Sequence, residues 1–249
     1  MKAFRGSADP KPGILLLSAA PGAGKTEAIV RALAREIPMN PNMRVVFCTH
    51  SNMALKRLVE AAAPKLKKIK QLIVLSSPAK EEYGSYFAPY SRNLLLATVE
   101  EILEEFKEKE EREAGEKSDE QRLLKYKQSC EERPGRADER GALKLVLKRR
   151  PVLPQVIYAT TAMLEDLEMI TEQVTHIVMD EAGKTSWDQT IPIVTSAPLL
   201  EKIAFVGDPQ QTLNYVEDVP EFVRKFGTES MLTYLVKLNP REVTRVKLI

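Results

Sequence analysis

The chain has 249 residues, of which 43% are hydrophobic and 29% are charged, enough for one α/β domain with an insertion. Its formal net charge of +2 is too small to indicate nucleic-acid binding by itself. Two cysteines and two histidines are too few for a disulfide framework or a zinc cluster. The sparse cysteines favour a reducing, intracellular compartment, cytoplasmic or nuclear. No apolar run reaches the roughly 20 residues of a membrane span, so we expect no membrane partner.

A glycine-rich loop, AAPGAGKT at 19–26, lies between an apolar strand and a helix that opens at Lys25. Gly22 and Gly24 let successive backbone N–H groups turn inward around phosphate oxygens. Lys25 supplies a positive charge to those oxygens, and the Thr26 hydroxyl is a suitable Mg²⁺ ligand. The loop therefore predicts a triphosphate site for ATP. Its predicted binding residues are Ala20, Pro21, Gly22, Ala23, Gly24, Lys25 and Thr26.

Regular α/β character continues after this loop. Apolar residues at helical spacing predict an amphipathic helix that Pro38 ends, and the continuous apolar run 44–49 predicts a buried parallel strand. Ser51 can cap a second helix, and a further strand is predicted at 71–75. The order of strand, loop, helix, strand, helix favours a mainly parallel sheet.

The segment 76–150 has a different character and is predicted to be a charged, mainly helical insertion into a core formed by 13–75 and 151–249. One helical pattern starts at Leu95 and continues into the charged stretch that ends at Lys117. Two more are centred on 121–130 and 142–148. Basic and acidic residues are almost equally frequent here, which favours a solvated helical hairpin over a basic nucleic-acid-binding arm.

Three short apolar strands are predicted at 155–160, 175–180 and 202–207, and each delivers polar groups at its carboxyl end. In open parallel sheets this edge is where ligands bind. Asp180 is expected to hold Mg²⁺ through its water shell, and the adjacent Glu181 to accept a proton from the water that attacks the γ-phosphate. A glutamine of the segment GDPQQ at 207–211 is placed to contact the γ-phosphate.

Taken in order, AAPGAGKT, FCTHSNMAL, IYATTAML, IVMDEAG and FVGDPQQ resemble five motifs of superfamily 1 helicases of the nonsense-mediated-decay type. The usual forms include GPPGTGKT, APSNxA, DEAxQ and GDxxQL. The resemblance implies a three-layer RecA-like P-loop NTPase fold and Mg²⁺-dependent ATP hydrolysis coupled to single-stranded RNA or DNA. It covers most of the chain outside the insertion.

By this resemblance, three groups of residues have roles. Lys25, Glu181 and Gln211 are catalytic, with Gln211 sensing the γ-phosphate, and Thr26 and Asp180 serve the metal. Ser51, Asn52, Thr160 and Thr161 are expected to contact the nucleic-acid backbone, although Ser51 is equally well explained as a plain helix cap.

The sequence also departs from the family forms. Ala19 replaces the first glycine of the phosphate loop, His50 replaces a proline, and Lys184 replaces the glutamine of DEAxQ. By the resemblance, the chain forms a single RecA-like domain over 1–249, and the second RecA-like domain, which supplies an arginine finger, is absent. We therefore expect nucleotide binding with weak hydrolysis and no unwinding by this chain alone.

Two other interpretations stay open at this point. A phosphate-loop kinase would transfer the γ-phosphate to a small acceptor, although the DEAG and GDPQQ segments are better suited to placing water. A truncated, non-catalytic module would bind nucleotide or act through its charged helices.

Overall fold

The computed structural model describes 13–69, 71–74, 94–108, 114–132, 139–149, 154–165, 168–210, 229–238, 240 and 243–247, and all structural statements concern these residues. The strands are β1 (Gly13–Ser18), β2 (Val45–Thr49), β3 (Gln71–Ile73), β4 (Val156–Thr160), β5 (His176–Asp180), β6 (Lys202–Gly207) and β7 (Val243–Lys247). The helices are α1 (Lys25–Glu36), α2 (Asn52–Ala62), α3 (Leu94–Glu108), α4 (Ala114–Glu132), α5 (Glu139–Arg149), α6 (Thr161–Glu165), α7 (Glu168–Thr171), α8 (Trp187–Thr195) and α9 (Met231–Leu238). Within these ranges no helix combines the length and apolar character that crossing a bilayer requires.

The seven strands form one sheet in the order β3-β4-β2-β5-β6-β1-β7. Every neighbouring pair is parallel. The expected α/β fold with a parallel sheet is confirmed, and it has the architecture of a P-loop NTPase. Because all strands run in the same direction, their carboxyl ends lie along one edge.

Helices cover both faces of the sheet, which explains why β2, β4 and β5 are continuous apolar runs without polar alternation. Alternate strand residues enter two separate buried clusters. Val45 and Phe47 pack toward α1 and α2, whereas Val46 and Cys48 pack toward the other helices. This arrangement gives the three layers that the sequence predicts.

The helices α3, α4 and α5 lie within the segment 76–150 and contact one another in all three pairings. Their apolar faces are buried, and residues such as Phe106 and Leu123 belong to the same cluster as Ile157 in β4. The expectation of a solvated hairpin is therefore wrong, because the apolar positions form a three-helix unit that shares the core of the sheet. The single long helix predicted from Leu95 to Lys117 is also wrong, since α3 ends at Glu108 and Lys117 belongs to α4.

Candidate functional site

The carboxyl ends of β1, β6, β5 and β2 are consecutive in the sheet, and the polar residues that follow them line one cleft. The cleft has a volume of about 540 Å³. It is lined by Pro21, Gly22, Gly24, Lys25, Thr26, Glu27, Ala54, Arg57, Leu58, Ala61, Asp180, Glu181, Lys184, Gly207 and Asp208. The parallel register thus brings together groups that are more than 150 positions apart in sequence.

The glycine-rich loop has the backbone conformation that its sequence requires. Gly22 and Gly24 have φ angles of 79° and 77°, which residues with a side chain rarely adopt. Gly24 immediately precedes α1, so the unpaired N–H groups of the first helical turn face the loop. The Lys25 ammonium donates to the carbonyl oxygens of Ala19 and Ala20 at 2.7 and 2.8 Å, which folds its side chain back over the loop.

The loop and β5 are joined by one hydrogen bond, in which the Thr26 hydroxyl donates to Asp180 Oδ2 at 2.8 Å. Burial raises the pKa of Asp180, and the Thr26 hydroxyl and the Glu181 N–H partly offset the effect by donating to the carboxylate. A hydroxyl and a carboxylate oxygen are the hard donors that Mg²⁺ prefers, so this pair fits such an ion. No group of three or more His, Cys, Asp or Glu side chains that could hold a metal ion occurs in the described part of the chain. An ion here would need water or phosphate oxygens as further ligands, which is usual for Mg²⁺.

Glu181 follows β5 in a left-handed conformation with φ 53° and ψ 35°. Its Oε2 atom lies 3.5 Å from His50 Nδ1 and 3.4 Å from Lys184 Nζ. Burial lowers the pKa of His50, with Glu181 opposing this shift and Lys184 adding to it. In the sequence His50 stands out only as a departure from the family proline, and its position beside Glu181 is apparent only from the structure.

Arg57 is a second residue that the sequence analysis missed. It lies on the face of α2 that also carries Ala54, Leu58 and Ala61 into the cleft. The spacing i, i+3, i+4, i+7 of these four residues was visible in the sequence as one helical face. The Arg57 side chain is exposed.

The residues expected to contact nucleic acid lie at the ends of two neighbouring strands, β2 and β4. Ser51 caps α2, since its hydroxyl accepts from the Ala54 N–H at 3.3 Å, and it is only half-buried, as is Asn52. Thr160 and Thr161 are 7% and 1% exposed, so their side chains are closed to a partner in this conformation. Gln211, expected to sense the γ-phosphate, lies outside the residues that the structure describes.

The chain is similar in sequence to known proteins. A family model described as an AAA domain matches residues 7–217. RNA helicase aquarius from Mus musculus is 33% identical over 99 residues, which are 39% of this chain and 7% of that protein. A probable helicase with zinc finger domain from Mus musculus is 25% identical over 230 residues, which are 89% of this chain and 9% of that protein. The chain thus spans less than a tenth of the length of these two relatives.

Proposed function

Since the chain belongs to the AAA domain family, we propose that it is the ATP-binding motor domain of a superfamily 1 RNA or DNA helicase of the nonsense-mediated-decay type. In this proposal it hydrolyses ATP with Mg²⁺ and couples hydrolysis to single-stranded nucleic acid. The observation that carries the proposal is the hydrogen bond between Thr26 and Asp180, which brings the phosphate loop and the acidic strand end into one site.

The proposed roles follow from the positions of the side chains. The loop from Ala20 to Thr26 and the N-terminus of α1 hold the phosphates through backbone N–H groups. Lys25 exchanges the carbonyls of Ala19 and Ala20 for phosphate oxygens, a stronger partner for an ammonium group. Mg²⁺, when held by Thr26 and Asp180, neutralises charge on the phosphates.

Glu181 is the proposed general base. It accepts a proton from a water molecule whose oxygen bonds to the γ-phosphorus. The bond between that phosphorus and the bridging oxygen breaks, and ADP leaves with the electron pair. We propose that Gln211 senses the γ-phosphate during this step, as the resemblance implies.

The ATP proposal is tested with Lys25→Ala and Glu181→Gln. We expect Lys25→Ala to weaken binding of a fluorescent ATP analogue at least tenfold, because a charge-assisted contact to phosphate is lost. Glu181→Gln should bind the analogue normally and release phosphate about 10²–10⁴ times more slowly, as is typical when a general base is removed. Lys67→Ala, an exposed lysine outside the cleft, is the charge-matched control. Unchanged analogue binding by Lys25→Ala would overturn the site assignment.

Product analysis separates the proposal from its rivals. Free phosphate that increases when single-stranded nucleic acid is added supports the helicase-type reaction, whereas phosphate found only on an added small acceptor supports a kinase. The absence of any turnover despite tight ATP binding supports a non-catalytic module. We expect slow hydrolysis by these residues alone, because an arginine finger from a second RecA-like domain, the proposed partner, contributes about 10³–10⁵ in rate in related enzymes.

Nucleic-acid contact is tested at Ser51, whose role as a cap must be kept separate from binding. Ser51→Asp retains a good N-cap residue but places a negative charge against a phosphate backbone. We expect unchanged stability in urea and several-fold weaker binding of single-stranded RNA and DNA, measured by fluorescence anisotropy at one fixed salt concentration. Because Thr160 and Thr161 are buried, their proposed contacts require this edge to open, and Ser51 with Asn52 is the more direct test. If Ser51→Asp binds single-stranded nucleic acid as tightly as the wild type does, Ser51 serves only as a helix cap.

A further inference from the structure

The Glu181 carboxylate is approached by two side chains through the same oxygen. His50 Nδ1 and Lys184 Nζ lie 3.5 and 3.4 Å from Oε2. His50 comes from the end of β2, and Lys184 from the short turn Ala182–Lys184 that follows Glu181. Both of these contacts are made to Oε2 and not to Oε1.

The fold itself brings His50 to Glu181. β2 and β5 are neighbours in the sheet, with Cys48 paired to Met179. Continuing this parallel register by two residues sets His50 beside Glu181. The pairing of β2 with β5 therefore accounts for the approach of His50 to Glu181.

His50 is poised to make a closer contact. Its Nδ1 atom is buried and has no hydrogen-bond partner in the described part of the chain. The distance of 3.5 Å to Glu181 exceeds the roughly 2.7–3.2 Å of an N–H···O hydrogen bond by only a few tenths of an ångström. Burial lowers the pKa of His50, and in the tautomer that carries its hydrogen on Nδ1 the neutral ring can donate to the carboxylate. Lys184 supplies the positive charge that pairs with the Glu181 carboxylate.

We propose that His50 and Lys184 are positioning residues that hold Glu181 Oε2, so that Oε1 is directed at the attacking water. The inference rests on the proposed function, in which Glu181 accepts the proton of that water. The two residues also stand at positions where this sequence departs from the motifs that it resembles.

The contact is tested by nitrogen NMR of the imidazole side chains in the full chain. There are only two histidines, so the spectrum is simple, and His176 serves as an internal reference. We expect Glu181→Gln to shift the Nδ1 resonance of His50 and to leave that of His176 unchanged. If the His50 resonance does not move, the proposed contact does not exist.

The positioning role is tested by steady-state ATP hydrolysis of the full chain. His50→Leu should lower kcat about tenfold with KM unchanged, since misplacing a reacting group by about 1 Å can cost about 10²-fold. His50→Asn retains an N–H donor at the place of Nδ1 and should recover most of the rate. Lys184→Met should also lower kcat selectively, whereas Lys67→Met, an exposed lysine outside the cleft, should not.

Two kinetic results would overturn the proposal: a rise in KM with unchanged kcat in His50→Leu, or no recovery in His50→Asn. Both of these kinetic results differ from the result expected if the proposed ATP hydrolysis itself does not occur. If the wild-type chain releases no phosphate under any condition, the proposed function and the catalytic purpose of the two residues are both wrong. The NMR result still shows whether His50 holds Glu181.

Discussion

Glu181 occupies a backbone conformation that costs free energy. Among the residues that the structure describes, it is the only non-glycine residue with a positive φ angle. The left-handed region costs an L-residue roughly 1–2 kcal/mol, because Cβ lies too close to the carbonyl oxygen. The conformation turns the chain sharply at the end of β5 and brings the Glu181 side chain into the cleft. Such strain at a residue with a proposed chemical role is common at functional sites.

We therefore predict that Glu181→Gly stabilises the chain while abolishing hydrolysis. Glycine removes the strain of the left-handed conformation. This gain in stability is partly offset by the larger backbone entropy of glycine in the unfolded state. The expected net gain is about 1 kcal/mol relative to Glu181→Gln, which retains Cβ and is the matched control. Urea denaturation followed by circular dichroism measures the difference. A Gly variant no more stable than the Gln variant would show that the turn is not strained.

His176 gives the second prediction at the residue scale, because the β-sheet buries it at 5% exposure in β5. Burial, together with the nearby positive charge of Lys202, lowers the pKa of His176 from 6.5 to about 4. Between about pH 4 and pH 6.5, the His176 side chain therefore binds a proton in the unfolded chain but not in the folded chain. The free energy of unfolding should therefore fall as pH decreases from about 6.5 to about 4, by at most about 1.4 kcal/mol per pH unit from this residue.

This pH dependence is measured by urea titrations at several pH values, with His176→Gln for comparison. Carboxylates contribute to the slope in both proteins, so the informative quantity is the difference between them. We expect a shallower slope for His176→Gln across this window and equal slopes above pH 7. Identical slopes throughout would mean that folding does not lower the pKa of His176.

At the scale of elements, the end of β6 packs directly against the turn that follows Glu181. A Cβ atom built on Gly207 would lie 2.9 Å from Leu232 Cδ2 and 3.0 Å from the backbone nitrogen of Gly183. The leucine side chain can move, but the backbone of the turn Ala182–Lys184 cannot move without displacing Glu181. Gly207 is thus a position at which β6, α9 and this turn approach one another closely.

Gly207→Ala should consequently destabilise the chain by about 1–3 kcal/mol, the usual cost of overpacking, and should lower ATP hydrolysis. Gly115→Ala is the matched control, because a Cβ atom at Gly115 in α4 meets nothing within 4 Å. In a helix this control should be neutral or more stable by up to about 1 kcal/mol. Urea denaturation and phosphate release are measured on both variants. A Gly207→Ala chain as stable and active as the wild type would show that the turn adapts freely.

Whether a feature of the fold or site could be predicted from the sequence depends on whether its residues are close together in the chain. The phosphate loop and the pair Asp180-Glu181 are local signals, since each depends on a strand followed by particular side chains. The apolar runs also gave the strands nearly residue for residue, with β6 predicted and observed at 202–207. The contact of His50 with Glu181 depends on β2 lying beside β5, and local patterns do not contain the order of strands in a sheet. The same holds for the crowding at Gly207.

At the scale of the whole molecule, the three helices α3, α4 and α5 are part of one buried cluster that also includes the sheet. Charged residues are conspicuous throughout these helices, and in α4 the buried apolar positions are few, which favours a solvated hairpin when the sequence is considered alone. Phe106 shows how they are integrated. It is 1% exposed, and the Arg149 guanidinium of α5 lies 4.2 Å above its ring centre. A shared core predicts that the helices and the sheet unfold together.

Phe106→Ala tests that cooperativity. Removing a buried phenylalanine costs about 3–5 kcal/mol, through lost burial and the cavity left behind. Trp187, the single tryptophan, packs edge-on against Tyr234 with ring centres 4.6 Å apart, so its fluorescence reports on α8 and α9, which lie outside the three-helix unit. We expect urea midpoints from tryptophan fluorescence and from far-ultraviolet circular dichroism to coincide in the wild type and to shift together in Phe106→Ala. Glu108→Ala, at an exposed position of the same helix, should change stability by less than about 0.5 kcal/mol. A variant that loses helical signal in an early, separate transition with the tryptophan midpoint unchanged would show that the three-helix unit unfolds independently of the sheet.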